Sequence, residues 1–177
     1  MPEAVILACG ACPVTPSIPG LNSEMVVDAR DVLTGKVELK SPAVVLGAGY
    51  VGMETADYLL SKGIPVAVLE MQAFPPVGKL SAHGYWLHKR IKTAGGRLLF
   101  GAQVTGIEAG DICYRHGETE RMENAAMVVT ALGAKSENSL EDVLKELSIP
   151  YKIVGDAKSP RRILEAIHEG HRAGQEV

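Results

Sequence analysis

The stretch Val44-Val45-Leu46-Gly47-Ala48-Gly49-Tyr50-Val51-Gly52 limits what this chain can fold into more than any other part of it. An apolar run opens into G-x-G-x-x-G, and a helical pattern follows. A second apolar run, Val66-Ala67-Val68-Leu69-Glu70, then ends in a carboxylate. Strand, Gly-rich turn, helix, strand and terminal acid together make the dinucleotide-binding fingerprint in its structural context. Gly47 allows the tight turn, Gly49 lets backbone approach a pyrophosphate, and Gly52 lets the helix pack closely on the sheet. The pyrophosphate would sit at the helix N-terminus, where free N–H groups and the helix dipole favour an anion. Ala48, Tyr50 and Val51 complete the expected cofactor-binding turn, and Glu70 would accept hydrogen bonds from the adenosine ribose hydroxyls. The bland alternative is a Gly-rich turn in an α/β protein with no ligand.

Composition narrows the class. A length of 177 residues suits one ordinary domain or two small ones. The net charge of −3 gives no basic surface for nucleic acid. Aromatics are 5% of the chain while Val, Ala, Leu and Gly abound, as a parallel sheet covered by helices requires. No apolar run is long enough to span a bilayer, and no secretory signal opens the chain. Three cysteines do not make a disulfide framework. A cytoplasmic, reduced protein with no membrane partner is the expectation.

Along the chain, Ala4–Ala8 reads as a buried strand. The Pro-rich run from Pro13 to Gly20 is extended, because each Pro removes a donor and biases its predecessor away from helix. Asp28–Leu33 reads as a short helix or turn and Lys36–Ser41 as a linker. From Pro42 the pattern gives a strand over Ala43–Leu46, a helix over Tyr50–Lys62 stopped by Gly63, and a strand over Val66–Glu70. Ser81 or a neighbour would cap a helix over Ala82–Thr93, ending at Gly95-Gly96. Arg97–Phe100 is a third strand. Gln103–Glu108 and Ile112–Arg115 alternate about Gly110-Asp111 and predict a hairpin, with a further strand over Glu118–Glu123. Ala126–Leu132 is another buried strand, Asn138–Leu147 is helical, Tyr151–Val154 is a strand, and Pro160–Ala173 is a helix with Pro near its start.

An internal echo joins the two ends. Val5-Ile6-Leu7-Ala8-Cys9-Gly10-Ala11 parallels Val128-Val129-Thr130-Ala131-Leu132-Gly133-Ala134, each a buried strand running into a small-x-Gly turn. With the fingerprint and Ile153-Val154-Gly155-Asp156-Ala157, these segments resemble the flavoprotein disulfide-reductase-like superfamily. There, an FAD domain is interrupted by a complete NAD(P)H domain. The resemblance implies that Ala8–Cys12 and Ile18–Gly20 cross into the second domain and that Ala131-Leu132-Gly133 crosses back. It also implies that Asp156, beside Gly155, reaches the FAD ribityl chain. A finer match involves Asp31–Gly35, Gly49–Ala56, Gly155–Arg161, Ala166 and Gly170. It is similar to the C-terminal region of the 2,4-dienoyl-CoA reductase / NADH oxidase / 2-enoate reductase group. In that group an FMN- and iron–sulfur-containing barrel precedes the nested pair.

The sequence carries one G-x-G-x-x-G, no second motif for the FAD pyrophosphate and no iron–sulfur cysteine cluster. The expectation is therefore a fragment: an NAD(P)H-binding domain over 42–132 and a partial FAD-binding domain over 1–41 and 133–177. The fragment would be inactive without the FAD and FMN parts of its parent enzyme. Missing sheet neighbours would expose apolar surface on the partial domain and favour a homo-oligomer. The fold class is α/β, a Rossmann-like parallel sheet with an antiparallel β crossover.

The resemblance implies hydride transfer from NAD(P)H to flavin, with Tyr50 and Glu54 lining the nicotinamide side. The alternatives are a helix-start packing residue and a solvated one. NADH is favoured over NADPH, since Glu70 would repel a 2′-phosphate and Met71 and Gln72 supply no cation, although Lys79 follows in the loop. A degenerate ADP-type assembly module is the competing reading. Cys9-Gly10-Ala11-Cys12 reads as small apolar filling in preference to a dithiol or metal site. His168 and His171 share a helix face without an evident third ligand, and His83, His88 and His116 read as surface residues.

Overall fold

The computed structural model describes residues 2–176. In chain order the elements are β1 (Val5–Leu7), β2 (Ala11–Pro13), β3 (Val26–Asp28), α1 (Ala29–Leu33), β4 (Ala43–Leu46) and α2 (Tyr50–Ser61). Then come β5 (Val66–Glu70), α3 (Ala82–Thr93), β6 (Arg97–Phe100), β7 (Ala102–Glu108), β8 (Asp111–His116) and β9 (Thr119–Asn124). The chain finishes with β10 (Met127–Thr130), β11 (Ala134–Ser136), α4 (Leu140–Glu146), β12 (Tyr151–Ile153), a 3₁₀ turn over Gly155–Ala157, and α5 (Ile163–Gln175). They divide into two compact units, one of Thr15–Gly133 and one built from the chain ends, up to Val14 and from Ala134 onward.

The larger unit is built on a five-stranded sheet in the order β3-β10-β4-β5-β6, with every pair parallel. Every residue of β4 and β5 is buried, which is why both read as unbroken apolar runs. Side chains alternate between the sheet's two faces. Val45, Val68 and Val129 face a core shared with Val32 of α1, Met53 and Leu59 of α2, and Leu87 and Ile91 of α3. Val44, Leu46, Leu69 and Val128 face a second core with Ala102, Ile107, Ile112 and Tyr114 of the antiparallel sheet β7-β8-β9. Helices, parallel sheet and antiparallel meander therefore stack as three layers. α2 buries Gly52, Met53, Thr55, Ala56 and Leu59, the spacing of one helical face. α3 starts where Ser81 Oγ accepts the Gly84 N–H at 3.1 Å, as the sequence predicts.

The smaller unit is made of short pieces. β1 pairs in parallel with β12, Val5 opposite Tyr151, and β2 pairs antiparallel with β11. Leu7, Leu144, Val154, Ala157 and Ala173 are buried, while Ile6, Ile163, Leu164 and Ile167 are exposed. Among the described residues no helix is long and apolar enough to cross a membrane.

The structure departs from the sequence reading in several places. Residues 15–41 pack with the larger unit, so the first boundary falls at 14/15 and not at 41. The cause is local: β3 adds an edge strand to β10, Leu21 enters the core beside Ile107, and the Ile107 N–H donates to Pro19 O at 2.9 Å. The last helix begins at Ile163, beyond Pro160, because Glu165 Oε2 accepts the Arg162 N–H at 3.2 Å and fixes the cap there. His88 is buried and not at the surface, its Nε2 bonded to Val77 O at 2.9 Å. Cys9 is exposed and so fills no core.

Candidate functional site

The fingerprint turn sits where β4 ends against β5. Gly47 has φ 99°, and a Cβ there would lie 2.5 Å from Ala131 O, so no side chain fits this turn. A Cβ on Gly52 would lie 2.0 Å from Gly47 O and 3.2 Å from the Ala131 side chain, which locks the first turn of α2 against its own loop. Gly49 is different: a Cβ there would meet nothing within 4 Å. Two of the three glycines are thus demanded by the protein's own packing, and the middle one faces open space. Gly49 is also the N-cap of α2, with no side-chain cap and no acidic residue in the first turn. The helix itself thus supplies no acidic group to its own positive end.

Glu70 ends β5 and is 6% exposed. Its Oε2 accepts the Ala48 N–H at 2.8 Å and its Oε1 accepts the Gln72 N–H at 2.9 Å. The Gly47 N–H donates to Leu69 O at 2.8 Å. One buried carboxylate thus ties the Gly-rich turn to the loop after β5. An ionised carboxylate has about four acceptor sites, so each Glu70 oxygen retains capacity for a sugar hydroxyl.

Tyr50 and Glu54 lie one helical turn apart on α2 and are joined by His83, which is exposed as the sequence predicts. The His83 ring stacks on Tyr50 with centroids 5.4 Å apart and planes 17° apart. His83 Nε2 lies 2.9 Å from Glu54 Oε1. Further along the same helix pair, Arg90 holds Asp57, its Nε 3.0 Å from Oδ1 and from Oδ2.

In the smaller unit the Gly155-Asp156 turn is clamped by α5. Glu169 Oε2 accepts the Gly155 N–H at 2.8 Å, and its Oε1 lies 2.5 Å from Arg161 Nη2 and 3.6 Å from Lys158 Nζ. Arg161, then the Gly155 N–H, hold the Glu169 carboxyl below the usual carboxylate range. Asp156 Oδ1 accepts the Arg161 N–H at 3.1 Å. Gly133, at the end of the larger unit, has φ 98° with open space where a Cβ would stand. Of the C-x-x-C pair, Cys12 Sγ lies 3.5 Å from Glu137 Oε2. Ser139, and then Cys12, hold the Glu137 carboxyl below its ordinary range. All three cysteines are free thiols, and no three His, Cys, Asp or Glu side chains converge on a metal position among the described residues.

The fingerprint residues Gly47, Ala48, Gly49, Tyr50, Val51, Gly52 and Glu70 therefore come together at one place in the larger unit. Gly155 and Asp156 belong to the smaller one.

Known proteins are similar to this chain in sequence and fold. An NADH oxidase of Thermoanaerobacter brockii is 31% identical over 186 residues, covering 99% of this chain and 28% of the relative. A bilirubin reductase of Mediterraneibacter gnavus is 31% identical over 173 residues, covering 97% of this chain and 27% of the relative. The structure of a 2-naphthoyl-CoA reductase in complex with 2-naphthoyl-CoA superposes with a TM-score of 0.90 at 22% identity, covering 99% of this chain and 27% of that one. The chain thus spans under a third of each of these relatives. Residues 2–159 match the pyridine nucleotide-disulphide oxidoreductase family, and the chain belongs to that family, whose members here are larger flavin-dependent oxidoreductases.

Proposed function

We propose that the larger unit, Thr15–Gly133, is the NAD(P)H-binding part of a flavin-dependent oxidoreductase and that it takes NADH in preference to NADPH. The observation that carries this reading is the buried Glu70 carboxylate at the end of β5, beside a Gly49 that faces open space. The residues fit the group. The α2 N-terminus, with no side-chain cap and no acidic residue in its first turn, offers its dipole to a pyrophosphate. Glu70 offers acceptors to the ribose hydroxyls and repels a 2′-phosphate, and neither Met71 nor Gln72 supplies a cation to reverse that preference. Tyr50 and Glu54 border the nicotinamide side. When bound, reduced nicotinamide supplies a hydride, which in the parent enzyme passes to flavin. This chain's part is to orient the ring and exclude water from it.

Asp156, beside Gly155 in the turn held by Glu169, is proposed to meet the ribityl chain of FAD, and Gly133, with open space where a Cβ would stand, to lie at the crossing back. The sequence has one pyrophosphate cradle, so the chain by itself is expected to retain no FAD and to turn nothing over. A flavin absorbance that survives dialysis of the purified chain would overturn that. The decisive experiment is calorimetric titration with NADH and, in parallel, with NADPH. Tighter binding of NADH supports the reading. Equal binding removes Glu70 as the discriminator, and no binding of either removes the dinucleotide site.

A further inference from the structure

The fingerprint accounts for Tyr50 and Glu54 but not for the side chain that links them. His83 lies in the first turn of α3 and makes two contacts with different faces of its imidazole. The ring face stacks on Tyr50 at 5.4 Å, and the ring edge places Nε2 2.9 Å from Glu54 Oε1. An ordinary surface ion pair would hold one carboxylate and leave the aromatic alone. Here one residue from α3 fixes both residues of α2. All three remain accessible: the His83 and Glu54 side chains are 54% and 45% exposed, and Tyr50 is half-buried.

We infer that His83 is a positioning residue for the nicotinamide half of the dinucleotide, setting the plane of the Tyr50 ring and the rotamer of Glu54 before the ligand arrives. The inference rests on the proposed placement of Tyr50 and Glu54 at the nicotinamide side. Its physical content is preorganisation. A tyrosine and a glutamate that must be ordered on binding subtract their lost rotamer freedom from the affinity, whereas a pair already held does not. The ADP half is served by other groups, Gly47, Ala48, Gly49 and Gly52 of the fingerprint turn and Glu70, and none of these touches His83 in any contact described above; of that turn His83 meets the Tyr50 ring. The two halves of the ligand therefore separate the role of His83 from that of the fold.

The test compares the chain with its His83→Ala, His83→Phe and His83→Gln variants, titrated with NADH and with ADP-ribose, which has the same ADP half and no nicotinamide. His83→Ala is expected to weaken NADH about three- to tenfold, the span of one or two reordered side chains, and to leave ADP-ribose within about twofold. His83→Phe keeps the stack and His83→Gln keeps a bond to Glu54, so each should recover part of the loss. Equal weakening of both ligands, accompanied by a lower melting temperature, would make His83 merely structural and overturn the inference. NADH affinity unchanged or improved in His83→Ala overturns it as well. If the unaltered chain binds ADP-ribose but gains nothing from the nicotinamide of NADH, the placement of Tyr50 and Glu54 fails along with the inference. Binding of neither ligand removes the dinucleotide site itself.

Discussion

The larger and smaller units use similar motifs, a strand running into a Gly turn, and stabilise them differently. In the larger unit the turn after β4 is enforced from inside. Gly47 and Gly52 sit against backbone with no room for a methyl group, and β4 and β5 are buried on both faces. In the smaller unit the turn after β12 is enforced from outside, by the Glu169 carboxylate with Arg161 and Lys158. Its strands have one neighbour each, and Ile163, Leu164 and Ile167 of α5 face solvent. A turn held by packing tolerates no change of shape. One held by ion pairs tolerates shape change but responds to charge.

The sharpest way to break that contrast is in the larger unit. Gly52→Val should cost about 3 kcal/mol or more, since overpacking against rigid backbone cannot be relieved by a rotamer change. Leu59→Ala, at a fully buried position between α2 and the sheet, should cost about 2–5 kcal/mol. Chemical denaturation measures both, and a loss under about 1 kcal/mol in either would mean the interior relaxes more easily than the packing implies. Gly49→Ala separates fold from ligand: with open space at its Cβ, stability should hold while dinucleotide binding falls.

Glu70→Ala comes next. It strands the Ala48 and Gln72 N–H groups, for about 1–3 kcal/mol. It also removes the charge proposed to reject a 2′-phosphate, so the ratio of NADH to NADPH affinity should fall in the same titration. A stability loss with the ratio unchanged would make Glu70 a loop fastener alone. Leu164→Ala in the smaller unit should change stability by less than about 0.5 kcal/mol, because the side chain is more than half exposed. A large effect there would show that the α5 face is covered in solution, by a second copy of the chain for instance, and light scattering would reveal the partner.

The same contrast explains what could be read in advance. The fingerprint was legible because a residue without a Cβ is required at Gly47 and Gly52, and sequence records that requirement directly. β4 and β5 were legible because burial on both faces leaves an unbroken apolar run. Ser81 was legible because both bonds of its hydroxyl are local, one accepted from the Gly84 N–H and one donated to Gly78 O, each three residues away. His83 was not, since its partners lie on another helix, and Glu54 is 29 residues away in sequence. His88 gave no signal either: its burial depends on a carbonyl in the loop before α3, which no periodicity reports. β11 is three residues long, too short for alternation to show, and exists through its pairing with β2. Pro160 misplaced the start of α5 because a proline marks a permitted start, whereas the Glu165 cap fixes the actual one.

The least disruptive probe of the comparison is pH, and it acts on the smaller unit. The Glu169 carboxyl is held below its ordinary range by Arg161 and the Gly155 N–H. A carboxylate with a depressed folded pKa contributes stability that is fully present above its unfolded pKa, about 4.3, and is lost as pH falls through the folded value. The Gly155-Asp156 turn should therefore keep its clamp at neutral pH and release it only below the usual titration of glutamate. The Gly155 amide resonance should follow with a midpoint under about 4.3. Glu169→Gln keeps an acceptor for the Gly155 N–H but has no charge to lose, so that low-pH transition should vanish from the Gly155 signal. The Gly52 amide, in a turn of α2 packed against Gly47 and Ala131 in the other unit, should pass through the same range without one. A Gly155 midpoint at or above the ordinary glutamate value would mean the ion pairs contribute nothing to the turn, and the smaller unit would then have to be held by packing like the larger.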